Sequence, residues 1–375
     1  MPEIPLSPEQ QTVLFGHAGI ERGLVDLWNK GTIAGSWMIC GVKGVGKATL
    51  AYRLARFVLS RSAEEEGGLF GVAEKPQSLE IPETAAVFRA VAQKSHPDLK
   101  VVERSLKEEE LKSRQAVLNA GKALDDETEK ARKRFDEIRV ADIREAEDFL
   151  RKTSATGGWR VMIIDAADEM NAEAANALLK SLEEPPAKTL ILLISHNPGR
   201  LLPTIRSRCR RLTLKPLDDA DVKKILSAAY PDLSAEELSA ITALADGSPG
   251  KALDFAGHNG VGLFENLMEL FSRFPDFSVP ALYEFSDKIL KDKENLKTVQ
   301  SLMIDRLSKA AVFAASKIPY RFVGKEQGVV ERILSVLQPL ELIDSIEEIR
   351  SAFADIYLDQ KQVFVNACLK LQRRG

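Results

Sequence analysis

Cysteine is almost absent: Cys40, Cys209 and Cys368 are the only three in 375 residues. Spaced so widely, they exclude a disulfide framework and a four-cysteine zinc module, and they suit a reducing cytoplasm. Histidine is scarce as well. His17, His96, His196 and His258 stand far apart with no cysteine or carboxylate at ligand spacing, so neither zinc nor another metal is expected. No apolar run approaches the roughly 20 residues that a bilayer crossing needs. Residues 1–5 carry no basic stretch leading into an apolar one, so neither a membrane partner nor export is expected. An excess of one charge is missing too, since 52 Lys and Arg against 55 Asp and Glu leave −3. A bulk electrostatic grip on nucleic acid is therefore not implied, and any such contact would be local or made through partners. Aromatic residues are only 6% and form no stacking pattern. With no helix-turn-helix or basic stripe either, sequence-specific DNA recognition is a poor reading.

What the sequence does contain is enough apolar material for a globular chain, 45% hydrophobic against 29% charged, at a length too great for one ordinary core. Up to about Leu214, short apolar runs alternate with helical patterns, which predicts a parallel sheet wrapped by helices. The strand candidates are 37–40, 99–102, 161–164, 190–194 and 211–214. The third and fourth are apolar throughout, as strands covered on both faces are. A charge-dense stretch at 105–137 alternates in sign and suits an exposed helix or helical hairpin projecting from this core. After Pro216 the strand signals stop. Asp218-Asp219-Ala220-Asp221 reads as a helix start and Gly247-Ser248-Pro249-Gly250 as a break between helices. A looser stretch around Phe274-Pro275-Asp276-Phe277 follows, and from 280 to 371 the pattern is helical again. The division expected is an α/β core over 1–216 with an insertion near 105–137, a small helical lid over 217–262, and an all-α C-terminal domain over 263–375.

Gly41-Val42-Lys43-Gly44-Val45-Gly46-Lys47 follows the first strand and opens an amphipathic helix expected over 49–59. In that order, strand, loop and helix make a phosphate-binding loop. Gly41, Gly44 and Gly46 let backbone N–H groups turn inward, the helix N-terminus adds positive potential, and Lys47 reaches the terminal phosphates. A plain glycine-rich turn before a helix is the bland alternative. The hydroxyl that should follow the lysine and coordinate Mg²⁺ is replaced by Ala48. Thr49 is next, but about a hundred degrees round the helix, so it does not simply take over. The third strand runs into Asp165, which is placed to hold a metal's hydration shell beside the phosphates or, more blandly, to end a strand or cap a helix. Ala166 stands where a carboxylate that positions the attacking water would be needed. Asp168 and Glu169 come after the strand end and point elsewhere unless the loop folds back. ATP or ADP can be held by such a loop without efficient hydrolysis, and both a filled and an empty loop fit the pattern.

Three motifs then come in close succession: Asn176-Ala177-Leu178-Leu179-Lys180-Ser181-Leu182-Glu183-Glu184-Pro185-Pro186, Ser195-His196-Asn197-Pro198, and Pro203-Thr204-Ile205-Arg206-Ser207-Arg208-Cys209. Their order and spacing resemble those of the bacterial clamp-loader family of AAA+ proteins. Ser95-His96-Pro97-Asp98-Leu99, Gly157-Gly158-Trp159-Arg160 and Leu358-Asp359-Gln360-Lys361-Gln362 extend the resemblance over most of the chain. It implies an α/β AAA+ core with a P-loop parallel sheet, a small helical lid, and an all-α C-terminal collar domain. It also implies a cytoplasmic part in DNA replication, within the DNA polymerase III holoenzyme, a nucleotidyltransferase complex. The implied partners are gamma/tau motor subunits and delta, and through the complex the sliding clamp and primer–template DNA. By the same resemblance, Ser195, His196 and Asn197 occupy the sensor-1 region, and Arg208 is an arginine finger reaching into the next subunit's ATP site. A guanidinium delivered there stabilises charge on the transferring phosphoryl group and is typically worth about 10³ to 10⁵ in rate. The alternative for Arg208 is membership of a basic surface run with Arg206, Arg210 and Arg211.

Motor subunits of the family carry Thr or Ser at the place of Ala48, Glu at that of Ala166, and a lid arginine at that of Gly250, although Lys251 adjoins it. Three hydrolytic groups are thus missing while the outgoing arginine is kept. The expectation is a non-hydrolysing stator that donates Arg208 and has no efficient ATPase of its own. The alternative is a hydrolysing motor of gamma/tau type, or another AAA+ replication ATPase, in which Thr49 and Lys251 replace the lost groups.

Overall fold

A computed structural model describes residues 7–62, 75–119, 133–289, 293–316, 318, 321–354 and 359–374. Pro5–Pro216 and Leu217–Gly375 form two compact units. In the first, β1 (Gly35–Cys40), β2 (Leu99–Val102), β3 (Arg160–Ile164), β4 (Thr189–Ser195) and β5 (Arg210–Thr213) make one parallel sheet in the order β2-β3-β4-β1-β5. All five expected strands are there, 99–102 with its bounds unchanged and the others with ends shifted by one or two residues. Every residue of β4 is buried, as is all of β3 after Arg160. Helices cover both faces, which is why these strands show no polar alternation.

The helices of this unit are α1 (Ala18–Asn29), α2 (Lys47–Ser62), α3 (Ala86–Ala92), α4 (Glu108–Asn119), α5 (Val140–Arg151), α6 (Ala172–Glu183) and α7 (Pro203–Arg208). Asn171 starts α6 by accepting the Ala174 N–H at 2.9 Å. Its apolar residues at helical spacing, Ala174, Leu178 and Leu182, pack in one core with Ile143 and Ala146 of α5 and with Met162, Ile164, Ile191 and Leu193 of the sheet. Each such buried leucine stabilises the fold by about 1.5–3 kcal/mol. Register then fixes the site. Cys40 lies opposite Ser195 and Thr213, and Ile164 opposite Leu193. The chain therefore leaves β1, β3 and β4 at one edge of the sheet, the place where ligands bind in folds of this kind.

The charged insertion is tied at its base. Lys107 N donates to Lys133 O at 3.0 Å and Phe135 N to Ser105 O at 2.9 Å, around an antiparallel Leu106–Arg134 bridge. Helix α4 rises from it with Glu108, Glu109 and Glu110 in the first turn, where the helix dipole favours negative charge. Residues 120–132, the remainder of the expected hairpin, lie outside the described residues.

The second unit holds α8 (Asp219–Ala229), α9 (Ala235–Ala245), α10 (Pro249–Gly257), α11 (Gly260–Phe271), α12 (Val279–Ile289), α13 (Lys293–Ser316), α14 (Glu326–Val336), α15 (Pro339–Ala354) and α16 (Gln360–Arg374), and no strand among the described residues. Asp218 caps α8, and Ser234 forms a capping box with Glu237 at the head of α9. The segment around Phe274 is not loose in its packing, since Phe274 and Phe277 are buried and stand edge-on at 5.7 Å.

Candidate nucleotide site and exposed arginine

From β1 the chain turns into α2 through Gly41 (φ 147°), Gly44 (81°) and Gly46 (101°). Two of these lack room as well as an ordinary angle. A Cβ on Gly41 would stand 2.6 Å from the Leu214 carbonyl oxygen, and one on Gly46 2.7 Å from a Leu14 methyl. Lys47 is 3% exposed and folds back over the loop, with Nζ donating to the Gly41 and Val42 carbonyls at 2.8 Å each. Burial lowers its ammonium to about 8, against the opposing pull of Asp168 and Asp165. A glycine cradle at a helix N-terminus with a cation inside it fits a phosphate. It does not fit Mg²⁺, because Ala48 brings no oxygen to the first turn of α2 and Thr49 lies one residue further on.

β3 runs into Asp165, a half-buried carboxyl raised by burial and by Glu103 against the pull of Lys94 and Lys47. Ala166 then takes the left-handed conformation, φ 58°, and opens a short 3₁₀ turn, Ala167–Glu169. That turn folds the loop back. Asp168 Oδ1 accepts the His196 N–H at 2.9 Å and Oδ2 the Asn197 N–H at 3.3 Å. The carboxylate whose sequence position suggested that it points away therefore braces the end of β4, and its charge opposes the effect of burial on Lys47. No sequence signal announces this, because alanine is an unusual left-handed residue. Glu169 does turn aside, pairing with Arg104 at 3.0 Å.

Ser195 Oγ and His196 Nδ1 are buried without a hydrogen-bond partner. Burial, then the Lys47 charge, brings the His196 imidazole down to about 4 despite Asp168, so it is neutral near pH 7. Asn197 serves its own turn, with Oδ1 accepting Gly199 N at 3.2 Å. Within the sensor-1 trio, then, Ser195 and His196 carry unanswered polar atoms beside the loop, and Asn197 is a cap.

Arg208 closes α7. Its Nε donates to Glu183 Oε1 at 2.6 Å, Nη2 meets the same oxygen, and Nη1 donates to Thr204 O at 3.0 Å. The side chain stays 33% exposed. Arg206 is exposed on the same helix, whereas the other two arginines of the run are engaged elsewhere. Arg210 lies over the Trp37 ring at 4.0 Å and donates to Thr32 O, and Arg211 reaches Cys40.

In the second unit Gly250 is exposed near the start of α10, and the Lys251 ammonium is bound to Asp305 at 3.1 Å. Other resemblance motifs are architectural. His96 Nδ1 accepts the Asp98 N–H, and the buried Asp98 carboxylate accepts Ala155 N at 2.8 Å, Thr156 N at 3.0 Å and Thr156 Oγ1 at 2.7 Å. These bonds start β2 and hold the turn before β3. Cys40 and Cys368 are buried and Cys209 half-buried, all free. Among the described residues no group of three or more His, Cys, Asp or Glu could hold a metal ion, and no helix is long and apolar enough to cross a membrane.

Comparison with known proteins adds the following. A family model described as DNA polymerase III, delta subunit, matches residues 16–218, more than half the chain. The chain is similar to the DNA polymerase III subunit delta-prime of Pseudomonas aeruginosa, 47% identical over 112 residues, which are 30% of this chain and 34% of the relative. The delta-prime subunit of Escherichia coli K12 is 42% identical over 118 residues, 31% and 35% of the two chains. A tau subunit from Salmonella typhimurium is 35% identical over 119 residues, 31% and 18% of the two. The aligned part thus spans about a third of the two delta-prime relatives.

Proposed function

This chain belongs to the family described as DNA polymerase III, delta subunit, and on that premise we propose that it is a delta-prime-type AAA+ stator of the clamp loader. In this reading it turns over little or no ATP itself. It supplies Arg208 to the ATP site of a neighbouring motor subunit, for ATP-dependent loading of the sliding clamp. The observation that carries this is an asymmetry. An exposed guanidinium stands held by Glu183 and Thr204, while Ala48 and Ala166 leave the chain's own loop without a hydroxyl or a carboxylate at the places hydrolysis needs them. Of the two residues that could replace the lost groups, Lys251 is paired with Asp305 and Thr49 lies one residue past the position the hydroxyl needs; Asp168, which the loop brings back, braces two backbone N–H groups.

ATP or ADP would be held through its phosphates by the Gly41, Gly44 and Gly46 backbone and by Lys47, and when bound would supply fixed negative charge. Lys47 then exchanges the Gly41 and Val42 carbonyls for phosphate oxygens. The remaining assignments follow the same reading: residues 217–262 as lid, 263–375 as collar, and gamma/tau motors and delta as neighbours. The sliding clamp and primer–template DNA are reached through the complex, and the setting is cytoplasmic replication. In the reconstituted complex, Arg208→Ala is expected to reduce clamp- and DNA-stimulated hydrolysis at the site it completes by about 10³ or more. Unchanged turnover removes Arg208 from this role.

A motor of gamma/tau type is the competing reading. The tau relative and the position of Asp168 beside Lys47 speak for it. It requires sustained Mg²⁺-dependent hydrolysis by the isolated chain that Lys47→Ala abolishes.

A further inference from the structure

Arginine carries five N–H donors. In Arg208 the Nε donor and one on Nη2 go to Glu183 Oε1, and one on Nη1 goes to the Thr204 carbonyl. One donor is left on each terminal nitrogen, the pair with which a guanidinium grips a phosphoryl group in a fork. Glu183 is poorly suited to the helix that carries it. It is the last residue of α6, with Glu184 directly after it, where the helix dipole and the unpaired carbonyls disfavour a carboxylate. Local helix stability gives no reason for a glutamate there, whereas the guanidinium 2.6 Å away does. The two elements that carry the pair are firmly seated, α6 through the buried Leu178 and Leu182 and α7 through the buried Ile205. The side chains themselves are open, 33% for Arg208 and 48% for Glu183, so the pair adds little to the stability of the fold.

We propose that Glu183 is a positioning residue for Arg208: it holds the side edge of the guanidinium so that the two terminal donors face outward, already oriented for the phosphates of an adjoining subunit's nucleotide. The inference rests on the reading of Arg208 as a finger given above. A long side chain fixed before docking loses less rotamer freedom when it docks, and a guanidinium held in place is aimed where charge develops. Because Glu183 does not touch the nucleotide in this arrangement, its effect falls on the rate of hydrolysis rather than on the affinity for ATP.

The test is made on the reconstituted complex. Glu183→Ala is expected to lower kcat for the neighbour's hydrolysis about tenfold with KM for ATP nearly unchanged. Glu183→Gln keeps an oxygen acceptor at Oε1 and should recover most of that loss. In an Arg208→Ala background, Glu183→Ala should cost nothing further, because there is no longer a guanidinium to hold. A tenfold loss that persists in that background reports damage to assembly and overturns the proposal. So does full kcat for Glu183→Ala beside a strongly reduced kcat for Arg208→Ala. If Arg208→Ala itself leaves turnover intact, the finger reading falls first and the positioning role with it, an outcome told apart from the others by that variant alone.

Discussion

Asp98 and Lys47 are both buried, and both titrate below their ordinary values for different reasons. Asp98 ties β2 to the turn before β3. Burial works to raise its carboxyl, but the hydrogen bonds from Thr156 and Ala155 outweigh burial and hold it below the ordinary carboxylate range. A depressed carboxylate contributes stability above its unfolded pKa and loses it as pH falls through the folded value. Asp98→Ala is therefore expected to cost about 2–3 kcal/mol near neutral pH, with the penalty shrinking below about pH 4; chemical denaturation at pH 7 and pH 3 measures both. Lys47 is lowered as well, but by burial of its charged form rather than by hydrogen bonds to it. Its folded value of about 8 lies below the unfolded 10.5, so above pH 8 the empty loop has lost the ammonium that a phosphate needs. Affinity for ADP should fall about tenfold between pH 7 and pH 9 and become flat in Lys47→Ala. A wild-type titration that is level across that range sinks the idea.

The elements follow from their sequences where burial is two-sided or caps are explicit. β3 and β4 are apolar at successive positions because helices cover both faces, and α6 and α8 start at Asn171 and Asp218, residues whose side chains accept the free N–H groups of a first turn. The turn after β3 is different. Ala166 sits at φ 58°, where an L-residue with a Cβ is strained by about 1–2 kcal/mol. Ala166→Gly should raise stability by about 0.5–1 kcal/mol at unchanged fold, read as an upward shift of the denaturation midpoint. A loss instead would mean that the alanine methyl packs more than it strains. That strained turn carries Asp168 back to the end of β4, and no sequence motif marks it. The base of the charged insertion was equally hidden, because its ladder joins Ser105 and Lys107 to Lys133 and Phe135 across the whole charged stretch.

At the scale of the molecule, each compact unit has a core of its own. Phe264 is 2% exposed among Leu263, Leu267 and Phe271 in the second unit. Phe264→Ala should cost that unit about 3–5 kcal/mol while amide exchange protection of β1, β3 and β4 stays at the wild-type level; an equal loss in both would show that the cores unfold as one. The sequence by itself determined where the five strands lie to within one or two residues, that a helix starts after Asp218, that a glycine-rich loop of phosphate-binding pattern follows the first strand, and that Ala48 and Ala166 lack oxygen. Those properties are local in chemistry or in period, so neighbouring residues carry them. Only the tertiary structure decided that Asp168 braces His196 and Asn197, that Lys251 is bound to Asp305, and that Arg210 and Arg211 leave the basic run. It alone also showed that Arg208 is held by Glu183, twenty-five residues earlier. Each of these is a contact between segments distant in sequence, set by strand order and one left-handed turn in the first unit and by helix packing in the second, and no period or short motif encodes a distance of that kind.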